Sequence, residues 1–380
     1  MRILERFRTL QRRLSGYAPL VEVSISRANL LHNLRTYQER YPGTKIAPVL
    51  KSNAYGHDLG LIARLLDKED IAFFMVDSLY EAHRLRQAGV RSRIVVMGYV
   101  RAKDIARSNL VHVDFAVTDI EQLRELASLA RHPLRLHLKL DTGMHRQGIP
   151  GGLLPEALDL IRPLPYMTVV GACTHLADAD SVDEAFSRKQ LACWSEGLAL
   201  VEKSYPGLEY RHIAATKGVR FSEECRANVA RVGIGLYGFD TAPGGGSEVK
   251  PVLELRSLVT SIREIPAGDA VGYNATFSTA RPTRIATVPV GYYEGIDRRL
   301  SNAGSMRIGD VDCPIAGRVS MNMSTLDITD APEVARGDVV IALSRTAEHP
   351  NSVANIAARI GTIPYEVLVH VPPHLRRVVE

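Results

Sequence analysis

Ile46-Ala47-Pro48-Val49-Leu50-Lys51-Ser52-Asn53-Ala54-Tyr55-Gly56-His57-Asp58 is the stretch on which the reading of this chain turns. Its first five residues form an unbroken apolar run, the pattern of a buried strand. Lys51 ends that run. An ammonium at the edge of an apolar core is costly, because desolvation disfavours the charged form. The neutral amine it favours is a nucleophile able to form a Schiff base with an aldehyde. Asn53, Gly56 and Asp58 supply turn chemistry directly afterwards. On this stretch alone, a lysine that snorkels out of a strand end is the favoured reading.

Further strand candidates lie at residues 71–76, 94–98, 111–117, 134–140, 167–173, 209–214 and 229–233. Amphipathic segments with helical spacing separate them, at 78–88, 120–130, 152–161, 183–204 and, more weakly, 216–225. Eight strands alternating with helices predict a parallel barrel rather than an open sheet. Such a barrel carries its chemistry at the C-terminal strand ends. Polar residues cluster there: Lys51 after the first strand, Lys139, Asp141, Thr142, Gly143 and Arg146 after the fifth. Thr174, His175, Asp178 and Asp180 follow the sixth, Thr216 the seventh, and Arg231, Gly233 and Ile234 mark the eighth. A purely structural reading gives no reason for that clustering.

Beyond Gly238 the pattern changes. Residues 241–247 are turn formers, and no Lys-Ser/Thr helix follows to make them a phosphate loop. Alternating runs at 252–262, 284–290, 305–308, 313–321, 325–328 and 339–343 predict strands. A short helix is expected over 351–360 and a last strand over 365–371, before Pro372 and Pro373. The fold class is therefore α/β: a parallel (β/α)8 TIM-like barrel followed by a mostly β C-terminal domain. The expected domains are a basic extension over 1–20, the barrel over 21–240 and the β domain over 241–380. The alternating stretch 21–26 is free to pair with the C-terminal β domain.

Bulk composition excludes several classes. With 380 residues, 46% hydrophobic and 23% charged, the chain is an ordinary globular protein with a substantial core. A net charge of +5, from 47 basic and 42 acidic residues, is too small and dispersed to argue for nucleic acid. Cys173, Cys193, Cys225 and Cys313 are far apart, which fits a reducing, cytoplasmic setting and gives neither a disulfide framework nor a metal site. No apolar run approaches the roughly 20 residues that span a membrane. The N-terminus carries Arg2, Arg6, Arg8, Arg12 and Arg13, with Ile3, Phe7, Leu10 and Leu14 at helical spacing. It reads as a surface helix packed on the body or on a partner subunit, in preference to a membrane-surface helix.

From Val21 onward, a series of motifs resembles the alanine racemase family. Residues 51–57 resemble its cofactor-lysine motif, with Ser52 where Ala is usual. Residues 138–146 resemble its second barrel motif, with His145 where Gly is common. Thr174-His175-Leu176-Ala177, Arg231–Gly238, Gly272–Phe277, Gly291-Tyr292, Gly317–Met321 and Ile363–Val367 follow in the family's order. The resemblance implies an isomerase using pyridoxal 5′-phosphate, acting on L- and D-alanine, as a homodimer with shared sites.

By the resemblance, Lys51 forms the imine and serves as base on one face of the substrate. Tyr273 of the partner subunit is the base on the other, supported by His175. Read locally, Tyr273 beside Gly272 and Asn274 is also an ordinary turn residue. Arg231 would face the pyridine nitrogen; its apolar neighbours Val229, Ala230 and Val232 argue against a free surface arginine. The phosphate falls to Gly233, Ile234, Thr216, Tyr55 and Tyr365, with Thr216 where Ser is common. Arg146 and the Met321 backbone would bind the substrate carboxylate, and Lys139 stands where relatives carry a carbamylated lysine. Asp180, Tyr292, Arg298, Arg318 and Ile363 match the entry corridor. Departures at Tyr293-Glu294, Ser320 and Asn322 keep a serine or broad-specificity racemase as the alternative. A pyridoxal-phosphate decarboxylase lacks its glycine-rich loop and cysteine motif here, and a non-catalytic carrier has no need of Tyr273.

Overall fold

The computed structural model describes residues 18–240 and 248–380. The basic amphipathic segment expected at the N-terminus and the 241–247 loop therefore lie outside the described residues. The chain divides into two compact units, one spanning Ser26–Val252, the other joining the segment up to Ile25 to Leu253–Glu380.

In the first unit, eight short parallel strands close a barrel: β2 (Lys45–Pro48), β3 (Phe74–Val76), β4 (Ile94–Val96), β5 (Val113–Val117), β6 (Leu134–Asp141), β7 (Met167–Cys173), β8 (Tyr210–His212) and β9 (Val229–Val232). β3 to β8 pair in sequence, and β9 pairs with β2. Single parallel bridges, Val49↔Met75 and Ala215↔Arg231, join the two remaining seams. The apolar runs become strands because both faces are buried, as a helix-covered parallel sheet requires. Side chains that hydrogen-bond the first turn start the helices: Ser26 caps α1 (Arg27–Arg40), Asp58 caps α2 (Leu59–Leu66), Ser78 caps α3 (Leu79–Gln87) and Asp119 caps α5 (Ile120–Leu129). The remaining helices are α4 (Ala102–Ile105), α6 (Leu154–Ile161) and α7 (Ala185–Ser204). Gly197 brings α7 onto β6, since a Cβ there would lie 2.9 Å from Leu140 Cδ1. The weak helical pattern at 216–225 is a 3-10 turn over Thr216–Phe221.

The second unit holds a six-stranded sheet in the order β14 (Val311–Pro314), β13 (Ser305–Ile308), β16 (Val339–Leu343), β10 (Leu253–Leu258), β1 (Glu22–Ile25) and β17 (Arg376–Val379). β1 runs antiparallel to β10, with Val23 opposite Leu255, and parallel to β17, with Val23 opposite Arg377. A three-stranded sheet of β11 (Ser261–Ile265), β12 (Thr283–Val288) and β15 (Ser324–Asp327) accompanies it. The run 252–262 is thus two strands, and 313–321 is strand only as far as Pro314.

The expected strand at 365–371 is instead a helix, α9 (Pro364–Val369), following α8 (Val353–Ile360). Pro364 occupies the first turn, where its missing N–H costs nothing and its fixed φ suits a helix. Pairing resumes beyond the prolines, in β17. No helix among the described residues is long and apolar enough to cross a membrane.

Candidate active site

Lys51 sits at the C-terminal end of β2, half-buried. The chain then makes a left-handed turn: Ser52, Asn53, Ala54 and Tyr55 have φ between 52° and 56°. Each such residue costs roughly 1–2 kcal/mol when it carries a Cβ, so neighbouring groups must enforce the conformation. Glu81 on α3 accepts from Ser52 N at 2.7 Å and from Asp77 N at 2.8 Å. Asn53 Oδ1 accepts from Leu59 N at 3.0 Å, tying the turn to α2. The buried His57 ring donates from Nδ1 to the Tyr55 carbonyl at 2.9 Å.

This turn delivers the Tyr55 phenol to the end of β9. A Cβ on Gly233 would lie 2.5 Å from Tyr55 Oη, so only glycine permits the approach. Thr216 Oγ1 accepts from Gly233 N at 3.2 Å and from Gly235 N at 3.4 Å. A phenol, a hydroxyl and the amides opening the Ile234–Tyr237 turn therefore converge, an arrangement suited to a phosphate.

Arg231, on β9, is 4% exposed. Its Nη1 donates to the His212 carbonyl and, at 3.2 Å, to His212 Nδ1. Its Nη2 donates to the Thr174 carbonyl at 2.7 Å, the Ile213 carbonyl at 3.1 Å and His175 Nδ1 at 3.1 Å. Its Nε–H makes no bond among the described residues. An arginine only donates, and that fixes the tautomers of its neighbours. His212 accepts at Nδ1, so its proton is on Nε2 and goes to His137 Nδ1, 2.8 Å away. His137 then carries its proton on Nε2, facing Asp114 Oδ2 at 3.4 Å.

Asp114 is fully buried and meets Arg93 at 2.6 Å and Arg135 at 3.2 Å. Burial alone would raise its carboxyl, yet the His137 hydrogen bond and the two guanidiniums hold it below the usual carboxylate range. Burial first, and Arg231 second among several cations, pushes His175 down to about 3. It is a neutral imidazole at physiological pH, with its Nε2–H left to donate.

Lys139 is 9% exposed and donates to Gln147 Oε1 at 2.8 Å. Burial, with the charges of Arg231, Arg146 and Lys51 adding to it, lowers its pKa. Arg146 is exposed and lines a cavity of about 420 Å³ with Asp141, His145 and Gln147. His145 has a φ of 53° and bonds Asp141 Oδ2 at 3.1 Å, which lets it stand in a left-handed position. Asp180 pairs with Lys217, which holds its carboxyl low.

The second unit carries the other residues. Tyr273 is 68% exposed, in a turn whose next residues, Asn274 and Ala275, have φ of 62° and 47°. Gly272 packs against Gly317 and Arg318, and Asn302 bridges Thr276 to Gly317 N at 3.1 and 2.6 Å. Met321 and Ile363 are 56% and 57% exposed. Tyr292 and Arg298 line a cavity of about 690 Å³. Tyr365 stands in the first turn of α9. The residues singled out in the sequence thus fall into two groups: Lys51, Tyr55, Lys139, Arg146, His175, Asp180, Thr216, Arg231, Gly233 and Ile234 in the barrel, and the rest in the β unit.

His137, His212, Asp114 and Glu81 escaped the sequence reading. One signal was present: in Leu-Arg-Leu-His-Leu-Lys-Leu, residues 134–140, polar side chains alternate within a strand that has no wet face. Arg135, His137 and Lys139 therefore share one face and point together.

The sequence matches the alanine racemase N-terminal domain over residues 25–241 and the alanine racemase C-terminal domain over 252–379. It is 36% identical to the alanine racemase of Syntrophobacter fumaroxidans, covering 91% of this chain and 93% of that one. It is 35% identical to that of Sorangium cellulosum, over 93% and 97% of the two chains. The fold is similar to the solved alanine racemase of Clostridium difficile 630, with a TM-score of 0.89, 27% identity and coverage of 96% and 97%. These matches run through both units and through every strand end described above. The chain belongs to the alanine racemase family.

Proposed function

We propose that the protein interconverts L- and D-alanine, using pyridoxal 5′-phosphate, in a homodimer with shared sites. The observation that carries this reading is Arg231: buried, with both terminal nitrogens engaged and Nε–H left over as a donor. A donor that does not give up its proton suits a ring nitrogen that must stay unprotonated. The Tyr55 phenol, Thr216 hydroxyl and the Gly233 and Ile234 amides fit the cofactor's phosphate, and Tyr365 offers a further phenol. When bound, the cofactor supplies the delocalisation that makes the substrate Cα–H acidic, and an unprotonated ring limits how far that delocalisation goes.

The side chains then divide the remaining work. Lys51 would hold the cofactor covalently, and its amine would move the Cα proton on one face of the substrate. Tyr273 of the partner subunit moves it on the other. A phenol is a weak base, with a pKa of about 10, so its anion needs a donor. His175 offers one: Arg231 occupies Nδ1, leaving the Nε2–H. Arg146 takes the substrate carboxylate as a fork, with the Met321 N–H beside it. The lowered pKa of Lys139 favours a neutral amine, which can add to carbon dioxide, lose a proton and become an anionic carbamate that orients Arg146. Asp180, Tyr292, Arg298, Arg318 and Ile363 line the approach. The exposed Tyr273, Met321 and Ile363 support a subunit partner over the β unit.

Proton NMR in deuterium oxide with L-alanine, L-serine and L-lysine tests the reading. Washout of the alanine Cα signal with appearance of D-alanine, dependent on added cofactor, is expected. Equal washout of serine would establish the broad-specificity alternative, and exchange with no D-isomer would overturn racemisation.

A further inference from the structure

In the β unit, the turn Gly291–Gly295 and the loop 320–323 lie back to back. Tyr292 N donates to the Ser320 carbonyl at 3.0 Å and Tyr293 N to the Met321 carbonyl at 2.9 Å. A Cβ on Gly291 would lie 2.2 Å from Ser320 O and 2.6 Å from Met321 O, so the contact demands glycine. The Glu294 side chain folds back into this junction and is 7% exposed. Its Oε2 accepts from Gly291 N at 2.9 Å, and its Oε1 accepts from Asn322 Nδ2 at 2.8 Å. Among the described residues Glu294 has no ion-pair partner, so these two donors are what offset the burial of its charge.

The consequence falls on Met321. A trans peptide is planar, with its C=O and N–H pointing to opposite sides. Tyr292 holds the Ser320 carbonyl toward the turn, which aims the Met321 N–H of the same peptide unit away from it. That N–H makes no bond among the described residues. Tyr293 fixes the next peptide unit in the same way, and Glu294 locks both by gripping Gly291 on one side and Asn322 on the other. Glu294 and Asn322 are among the positions where this chain departs from the usual family residues. Their side chains are spent on each other and on Gly291, which makes them a support for the backbone.

We propose that the Glu294–Asn322 pair positions the Met321 N–H for the carboxylate of the substrate, so that the pair sets affinity for alanine without touching it. This rests on the racemase reading of the site. The bond has a sense, from amide donor to carboxylate acceptor. Asn322→Asp sets two carboxylates against each other, and one must then separate or take a proton. Adding Glu294→Gln restores a matched pair with the sense reversed: the introduced amide accepts from Gly291 N through its oxygen and donates through its nitrogen to the introduced carboxylate.

The test is the KM for L-alanine and the inhibition constant of acetate, a carboxylate with no amine, on the cofactor-loaded dimer. Asn322→Asp should raise both on the order of tenfold, the worth of about one well-placed hydrogen bond, with kcat changed less than about threefold. The Glu294→Gln/Asn322→Asp double variant should bring both back to within about threefold of the starting protein. Asn322→Ala, which removes the donor without adding charge, should fall between and covers the case in which the aspartate variant does not fold. Unchanged constants in folded Asn322→Asp and Asn322→Ala, or a double variant no better than Asn322→Asp, would overturn the proposal. Amide hydrogen exchange at Tyr292 and Tyr293 separates this from failure of the racemase reading. If the native protein does not racemise alanine, faster exchange in Asn322→Asp that recovers in the double variant still supports the lock, and exchange that does not change refutes it.

Discussion

The barrel holds Arg231 and Asp114 dry, whereas the β unit presents Tyr273 and Met321 at the surface. Arg231 is 4% exposed and Asp114 fully buried, while Tyr273 is 68% exposed and the Met321 loop stands open. The difference reflects what each group must do. A cation that has to keep one orientation and one protonation state is best enclosed by fixed acceptors, because solvent would let it turn and would screen its field. On the proposed reading Tyr273 and Met321 meet a small amino acid that arrives and leaves, which suits locked backbones with tips left free. Order in the barrel half-site comes from hydrogen-bonded side chains in a common interior. Order in the β half-site comes from glycine turns and paired peptide planes.

The largest effect should come from the barrel side. On the proposed reading Lys51→Ala removes both the cofactor link and one proton carrier. Racemisation should fall by at least roughly 10⁴-fold, together with the visible absorbance of the bound cofactor; a variant that keeps the native band would separate Lys51 from that link. Tyr273→Phe leaves the cofactor bound and should lower racemisation by roughly 10²–10⁴-fold, measured by polarimetry or a D-alanine assay. That contrast, one variant blind to cofactor and the other not, would vanish if the two half-sites had the same task.

Asp114→Ala attacks the dry half without touching substrate. It removes the ion-pair partner of Arg93, leaves Arg135 with Glu209 alone, and takes away the acceptor that His137 Nε2 faces. The protein should lose about 3–5 kcal/mol in urea unfolding, and the side reaction of transamination should rise relative to racemisation as Arg231 loosens. The smallest effect is on acid stability. His175 is pushed from an ordinary value near about 6.5 to about 3. Its folded-state pKa is depressed, so the stability it contributes is present above about pH 6.5 and drains away as pH falls toward 3. Asp114 adds its own loss only below the ordinary carboxylate range. His175→Gln should flatten the fall of the urea midpoint between about pH 6.5 and 4, and a parallel fall would assign that slope elsewhere.

The barrel was legible in the chain because most of its strands are short runs dominated by apolar residues, with polar residues gathered at the rim. Lys51 and Arg231 stood out for that reason: each is a cation beside residues with no wet face. Asp114 did not, since a single polar residue inside a strand buried on both faces changes no period, and His137 showed only through its alternation with Arg135 and Lys139, its partners lying on other strands. Tyr365-Glu366-Val367-Leu368-Val369 reads as a strand because a short apolar run has no period of its own to choose helix; Pro364 decides it from the first turn. The left-handed turn after Lys51 was invisible for a further reason. Ser52, Ala54 and Tyr55 have no preference for it, and it exists because Glu81 and Asn53 hold the surrounding amides.

The most direct test of two half-sites with two tasks is isotope exchange by Tyr273→Phe in deuterium oxide, followed separately from L- and D-alanine by proton NMR. If Lys51 serves one face and Tyr273 the other, the variant should exchange the Cα hydrogen of one enantiomer with retention, while exchange of the other and interconversion fall together. Equal residual exchange of both enantiomers, or full interconversion, would contradict the account.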